Sequence, residues 1–222
     1  MDTIEKNAIR TVIDLIAISV CTAPKSGGID DIICFVSNDA QKKAIAKKMI
    51  AIGQRAARSK SNKEIAPAVL ISWESDARAV GHSHGLILVG VKGRKTFGAN
   101  CTCCGYESCS AFRTQLEQNR KNARAVSGPF CVFKIWDLGI AIASAAKTAS
   151  LLNVDNRIMY RIGIAALQTP AVKKHFCKGN FNEHINPILG LPLSASGKNI
   201  YFDRLDKMQA ASAITAFHRK PR

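Results

Sequence analysis

Apolar residues Ile4, Ile9, Val12, Ile13, Ile16 and Ile18 recur at close to helical spacing, and the pattern stops at "TAPKSGGIDD", where a proline and two glycines intervene. The spacing predicts a first helix ending near Cys21. The β-branched run "IICFV", Ile32 to Val36, suits a buried strand, and "DAQKKAIAKKMIAIGQRAAR" after it reads as a basic amphipathic helix capped by Asn38 or Asp39. "AVLIS", Ala68 to Ser72, and "GLILVGV", Gly85 to Val91, predict two more buried strands, with a short helix over Glu74 to Val80 between them. From Lys92 to Pro129 the chain turns polar, basic and rich in glycine and cysteine, with one helix expected from Ser110 to Ala125.

Beyond that segment, "DLGIAIASAAKTASLLN", Asp137 to Asn153, is almost wholly small and apolar, so its helix is expected to be buried on most of its circumference. A carboxylate at its start favours Asp137 as N-cap over a catalytic reading. Asp155 is placed in the same way before a helix over "DNRIMYRIGIAALQT", and "LGLPLSASGKNIYFDR" reads as a loop rich in Ser, Gly and Pro. Alternating strands and helices point to an α/β sandwich. The expected organisation is one domain over residues 1–222, with residues 93–131 embedded in it as a cysteine-rich segment.

Composition narrows the function. The longest apolar runs fall well short of the ~20 residues that cross a bilayer, and the mixed charges of "MDTIEKNAIRTVIDLIAISV" are unlike a secretory leader. A cytoplasmic protein with no membrane partner is expected. Thirty-two Lys and Arg against sixteen Asp and Glu give a formal charge of +16, which favours acidic partners. The basic residues are spread along the chain and no aromatics interleave with them as a stacking platform, so nucleic acid is the weaker candidate. An acidic electron carrier such as a ferredoxin or flavodoxin, or a phosphorylated cofactor, fits the charge, and a homodimer is a candidate assembly.

Eight cysteines in a reducing compartment are expected to be thiols rather than a disulfide framework. Cys21, Cys34 and Cys177 stand alone and read as small buried hydrophobes. "CTCCGYESC", Cys101 to Cys109, is different. Read as ligands, the spacing is Cys101-x2-Cys104-x4-Cys109-x21-Cys131, with Cys103 spare. Two thiolates on a tight turn, a third on the next loop and a fourth from a distance is how iron–sulfur clusters are held. Zinc is the rival, but its structural sites more often use two C-x2-C knuckles, and here the distal half offers only Cys131. Cys103 and Cys104 are interchangeable as ligand from spacing alone.

The pattern "CTCCGYESC" followed by a remote cysteine resembles the 4Fe-4S motif C-x2-C-G-x3-C…C of corrinoid iron–sulfur proteins. "TAPKSGGID", "SWESDARAV", "DLGIAIASAAKTASLLNVDNRIMYRIG" and "GLPLSASGKNIYFDR" together resemble the ferredoxin-domain proteins of the DUF2148 family over nearly the whole chain. The order of elements also resembles flavin-binding nitroreductases, which implies a three-layer nitroreductase-like α/β (α+β) sandwich and FMN as a candidate second cofactor. The arginine-rich phosphate-binding pattern of those enzymes is missing. Lys25, Lys198 and Arg204 are the candidates to hold a flavin phosphate, with N–H groups of "KSGG" and "SASGK" as an anion nest.

His82 and His84 in "GHSHG" have no third ligand nearby and read as solvent-exposed loop residues. No G-x-S-x-G, P-loop or G-x-G-x-x-G occurs, which removes the residues that hydrolase and nucleotide-kinase readings need. Two functions remain. One is an iron–sulfur redox protein, an electron carrier or a flavin-dependent oxidoreductase. The other is a binding module with a structural zinc or cluster and a basic surface for nucleic acid or an acidic protein.

Overall fold

The structure is a computed structural model that describes residues 3–58, 66–119, 126–197, 200, 201 and 212. Helix α1 (Thr3–Thr22) is followed by a 3-10 turn at Ser26–Gly28, strand β1 (Ile32–Val36) and helices α2 (Asp39–Ala57) and α3 (Ala66–His82). Strand β2 (Gly85–Val91) leads into the cysteine-bearing segment with helix α4 (Cys109–Asn119), and the chain returns as helix α5 (Val132–Leu151). Strand β3 (Asp155–Asn156), helices α6 (Tyr160–Ala166) and α7 (Pro170–Phe176) and strand β4 (Ile188–Ser194) complete it.

The strands form one antiparallel sheet in the order β1-β2-β4-β3. All seven residues of β2 are buried, as a run apolar on both faces requires. Its side chains alternate between two cores. Leu86 and Leu88 pack with Ile45, Met49, Trp73, Val80 and Ile162 from α2, α3 and α6. Ile87, Val89 and Val91 pack with Ile13, Ile16, Leu138 and Ile142 from α1 and α5. Helices on both faces of the sheet make the expected three layers. α6 comes so close to β4 that a Cβ on Gly163 would run into the Ile188 carbonyl.

β1, β2 and the capping of α2 follow the sequence pattern. Asn38 and Gln41 form a reciprocal capping box at the start of α2. Four other expectations are corrected. "AVLIS" is not a strand: it is the first half of α3, whose Trp73, Ala77 and Val80 recur at helical spacing into one core. A five-residue apolar run is too short to show its period. "LGLPLS" is not loop but β4, the neighbour of the central strand. Pro192 is tolerated there because β3 pairs only with Leu193 and Ser194, leaving the proline beyond the ladder. Helix α5 starts at Val132 with Cys131 as N-cap, so Asp137 lies inside the helix. Asp155 belongs to β3, and α6 begins at Tyr160 after Met159. The helix expected over Ser110 to Ala125 is α4, and residues 120–125 lie outside the described residues.

α5 is buried along one stripe only, through Leu138, Ala141, Ile142, Ala145 and Ala149. Its opposite face exposes Trp136, Ile140 and Leu151, and neighbouring α1 exposes Ile4, Leu15 and Ile18. No helix among the described residues is long and apolar enough to cross a membrane.

Candidate metal centre

β2 ends at Val91 and, two residues on, Gly93 already serves the cysteines. The carbonyl of Gly93 accepts from Cys131 N at 2.8 Å, fixing the start of α5 against the end of the central strand. Cys131 is thereby buried at the N-terminus of α5. Cys109 is the first residue of α4, whose exposed N–H groups are capped from two sides: Ser108 Oγ accepts from Ala111 N at 3.1 Å and Asn100 Oδ1 from Cys109 N at 2.8 Å. Two helix N-termini, each favouring negative charge, therefore meet at this place.

Just before α4 the chain reverses through Thr102 and Gly105, with φ of 59° and 84°, closed by a hydrogen bond from Gly105 N to Thr102 O at 2.8 Å. A β-branched residue in the left-handed region costs of order 1–3 kcal/mol. The reversal has a consequence for the thiols. Cys101, Cys104, Cys109 and Cys131 line one closed pocket, and Cys103 does not; it is exposed. The Cys103 thiol is pushed up by its hydrogen bond with Cys101 and by the neighbouring Cys101 and Cys104 sulfurs.

The remaining walls are apolar. Phe97, Phe133, Phe112 and Tyr106 face the pocket, with Phe97 on Phe133 at 4.7 Å and Tyr106 edge-on to Phe112 at 5.7 Å between ring centroids. No three His, Cys, Asp or Glu side chains among the described residues converge as the ligands of a single metal ion do. The four cysteines line the pocket together. In a cluster each iron takes its own thiolate, so the ligands ring a body rather than meet at a point.

Behind the aromatic wall lies a buried ion network. Lys134 Nζ, 6.0 Å from the Phe97 ring centroid, stands 2.8 Å from Asp31 Oδ2 and 3.9 Å from Asp137 Oδ2. Lys95 Nζ reaches Asp31 Oδ1 at 3.1 Å. Burial alone pushes the Asp31 carboxyl up, but the Lys134 and Lys95 ammoniums outweigh it and hold it below the usual aspartate value. Asp137 Oδ1 accepts from Ser26 N at 2.8 Å and Ser26 Oγ at 2.7 Å, tying the "KSGG" loop to α5. Gly27 of that loop lies against Phe97, where a Cβ would sit 3.0 Å from the ring.

That loop is otherwise occupied than as an anion nest. Gly28 N donates to Lys25 O at 3.0 Å and Ile29 N to Ser26 O at 3.2 Å, so with Ser26 three of its N–H groups are engaged within the protein. Lys25 Nζ donates to Val20 O at 3.1 Å and to Cys21 O, and stands 3.6 Å from Asp30; it closes the end of α1. In "SASGK", Ala195 N donates to His84 Nδ1 at 2.9 Å and Ser196 N to Ser194 Oγ at 3.3 Å. Lys198 and Arg204 lie outside the described residues. Several N–H groups in the described part of the two loops are thus engaged within the protein.

Of the isolated cysteines, Cys21 is exposed rather than buried, and Cys34 and Cys177 are half-buried. Burial, with Cys21 close by, pushes the Cys34 thiol up to about 11. His82 is exposed and half-buried His84 is held as described. Sequence reasoning missed Lys134 and Asp31 because nothing local marks a lysine or aspartate as buried.

The profile of proteins described as uncharacterized and containing a ferredoxin domain (DUF2148) matches residues 127–204. A protein of Archaeoglobus fulgidus described as uncharacterized is 40% identical over 194 residues, 87% of this chain and 90% of that one. The chain belongs to the DUF2148 family. The matched residues include Cys131 but not the other three cysteines of the pocket, so in this DUF2148 protein the remaining ligand candidates rest on the chain's own geometry. Among solved structures, a BluB-like flavoprotein from Clostridium difficile 630 superposes with a TM-score of 0.55 at 15% identity, over 85% of this chain and 81% of the other. A nitroreductase with bound FMN from Desulfitobacterium hafniense DCB-2 gives 0.48 at 15% identity, over 89% and 84%. The DUF2148 chain shares its fold with the BluB-like flavoprotein, and the ferredoxin domain in its family's description suggests a redox or electron-transfer role.

Proposed function

We propose that this protein is an electron-transfer protein in which Cys101, Cys104, Cys109 and Cys131 hold a 4Fe-4S cluster. The observation that carries the reading is that these four cysteines, and not Cys103, line one closed apolar pocket. A bound cluster would supply one-electron transfer, its potential set by burial, charge and hydrogen bonds to the sulfurs. The chain's own residues do the rest. Phe97, Phe112 and Phe133 keep water from the sulfurs, the N-termini of α4 and α5 offset negative charge, and the Lys134 network fixes the wall behind them. The charge of +16 suits an acidic carrier such as a ferredoxin or flavodoxin as electron donor. The exposed apolar stripes of α1 and α5, side by side over one sheet face, suit a second copy of the chain.

The test is to purify the protein without oxygen and measure iron, acid-labile sulfide, and visible and EPR spectra. Four irons and four sulfides per chain with broad thiolate-to-iron absorption are expected; a colourless protein containing zinc would overturn the reading in favour of a structural metal and a binding module.

FMN is the second reading, favoured by the fold shared with a flavoprotein. The inward hydrogen bonds of "KSGG" and "SASGK" weigh against it. Denaturing the purified protein and identifying what is released decides it: FMN in the supernatant makes the chain a flavin and cluster oxidoreductase, and a protein that neither releases nor binds flavin is a one-cluster carrier.

A further inference from the structure

Arg94, next in the chain after Gly93, lines a cleft of about 1340 Å³, larger than an ordinary small-molecule pocket of about 300–1,000 Å³. It runs between α2, α7 and the 3-10 turn at Phe181–Glu183. Its walls present five cations: Lys48 and Arg55 from α2, Arg58 at that helix's C-cap, Lys173 from α7, and Arg94. Among the described residues no carboxylate lines it.

Arg94 separates this cleft from an ordinary solvated basic face. The residue is 3% exposed, its guanidinium 4.2 Å from the Phe181 ring centroid and 5.7 Å from that of Phe130. Its Nη2 donates to Ser127 O at 2.9 Å and to Ser127 Oγ at 3.4 Å, both neutral. Its Nε is buried with no hydrogen-bond partner among the described residues. Buried charges are as a rule paired, and a guanidinium is not relieved by losing its proton. A buried arginine satisfied on one edge by neutral oxygens, lining a cleft with four further cations, is short of an anion.

We infer that this cleft is a binding site for a small molecule carrying two or more phosphates. A few bidentate cationic contacts satisfy one phosphate, and five cations spread over three separate elements suit a ligand with more than one anionic group. The aromatic faces of Phe130 and Phe181 hold the guanidinium in place, so its donors are oriented before the ligand arrives. The ligand would also touch the cysteine site indirectly: Arg94 holds Ser127, four residues before Cys131, and adjoins Gly93, whose carbonyl fixes Cys131.

Calorimetric titration of the full chain with tripolyphosphate and with ATP, beside inorganic phosphate, tests this. Binding of one molecule per chain is expected, tighter for either polyphosphate than for inorganic phosphate and weakened at least about tenfold by Arg94→Gln. Should that buried variant fail to fold, the double variant Arg58→Gln with Lys173→Gln, both exposed in the free protein, is expected to give the same loss with the fold intact by circular dichroism. No binding of either polyphosphate, or binding that the exposed double variant leaves unchanged, overturns the assignment. So does a single-stranded RNA oligomer that outcompetes tripolyphosphate, which would make the cleft part of a nucleic-acid surface.

Discussion

The cysteine pocket and the basic cleft are tied to adjacent residues, Gly93 accepting a hydrogen bond from Cys131 N and Arg94 lining the cleft, yet their walls are opposite in kind. The pocket is small, closed and walled by aromatic rings, with its four cysteines set beside two helix N-termini. The cleft is wide and carries its charge on long flexible side chains around a single buried guanidinium. A closed apolar wall would protect thiolate–iron bonds, which are labile to water and oxidant, whereas an open cationic wall would suit a ligand that must come and go. The comparison also separates two uses of positive charge: Lys134 and Lys95 beside the pocket are neutralised by carboxylates of the same chain, and the cleft's cations face no carboxylate among the described residues.

The largest expected effect tests whether the pocket alone holds iron. Cys101→Ala, Cys104→Ala, Cys109→Ala or Cys131→Ala, each made separately, is expected to abolish bound iron, while Cys103→Ala keeps it, by iron analysis and visible absorption of anaerobically prepared protein. Iron retained in Cys131→Ala and lost in Cys103→Ala would reverse the ligand assignment. The same analysis on the Arg58→Gln, Lys173→Gln variant is expected to show undiminished iron, since neither residue reaches the pocket.

Stability gives the next contrast. Lys134→Met leaves the buried carboxylates Asp31 and Asp137 without their shared cation and is expected to cost about 3–5 kcal/mol in urea unfolding. Arg58→Gln, at the exposed rim of the cleft, is expected to stay within about 0.5 kcal/mol of the parent. Equal small effects from both would mean the Lys134 network carries no net stability.

A smaller effect follows from acid. The folded pKa of Asp31 lies below the ordinary 3.8, so between the two values the unfolded chain holds more protons. Its contribution is complete above the unfolded value and is lost as pH falls through the folded one. Urea midpoints measured from about pH 5 down to about pH 3 are expected to drop less steeply in Asp31→Asn than in the parent. A slope identical in the two proteins would remove Asp31 from the acid response.

The smallest change concerns encounter. If the diffuse positive charge steers an acidic donor, the rate of reduction by a ferredoxin is expected to fall as salt shortens the Debye length from about 30 Å to about 8 Å. The spectrum of the reduced protein is expected not to change with it. A rate indifferent to salt would leave the charge to the cleft and its ligand.

Local patterns in the chain determined whatever one or two turns or one strand can decide. The seven apolar residues of β2 make a strand buried on both faces wherever it lies, Asn38 and Gln41 cap a helix by themselves, and Cys101 to Cys109 are a chelating spacing within one loop. Tertiary structure decided whatever depends on which neighbour arrives. "AVLIS" became helix because Trp73, Ala77 and Val80 meet a core together, and "LGLPLS" became a strand because β2 offers it a ladder while the short β3 pairing on its other edge does not call on the proline's missing N–H. Asp137 became a buried acceptor once Ser26, 111 residues away, was brought to it. The choice of Cys104 over Cys103 at the pocket turned on a single reversal at Thr102, which spacing does not record. The cleft was invisible for the same reason: a lysine or arginine reads alike in any solvated helix, and only packing α2, Arg94 and α7 around one space gives those cations a common target.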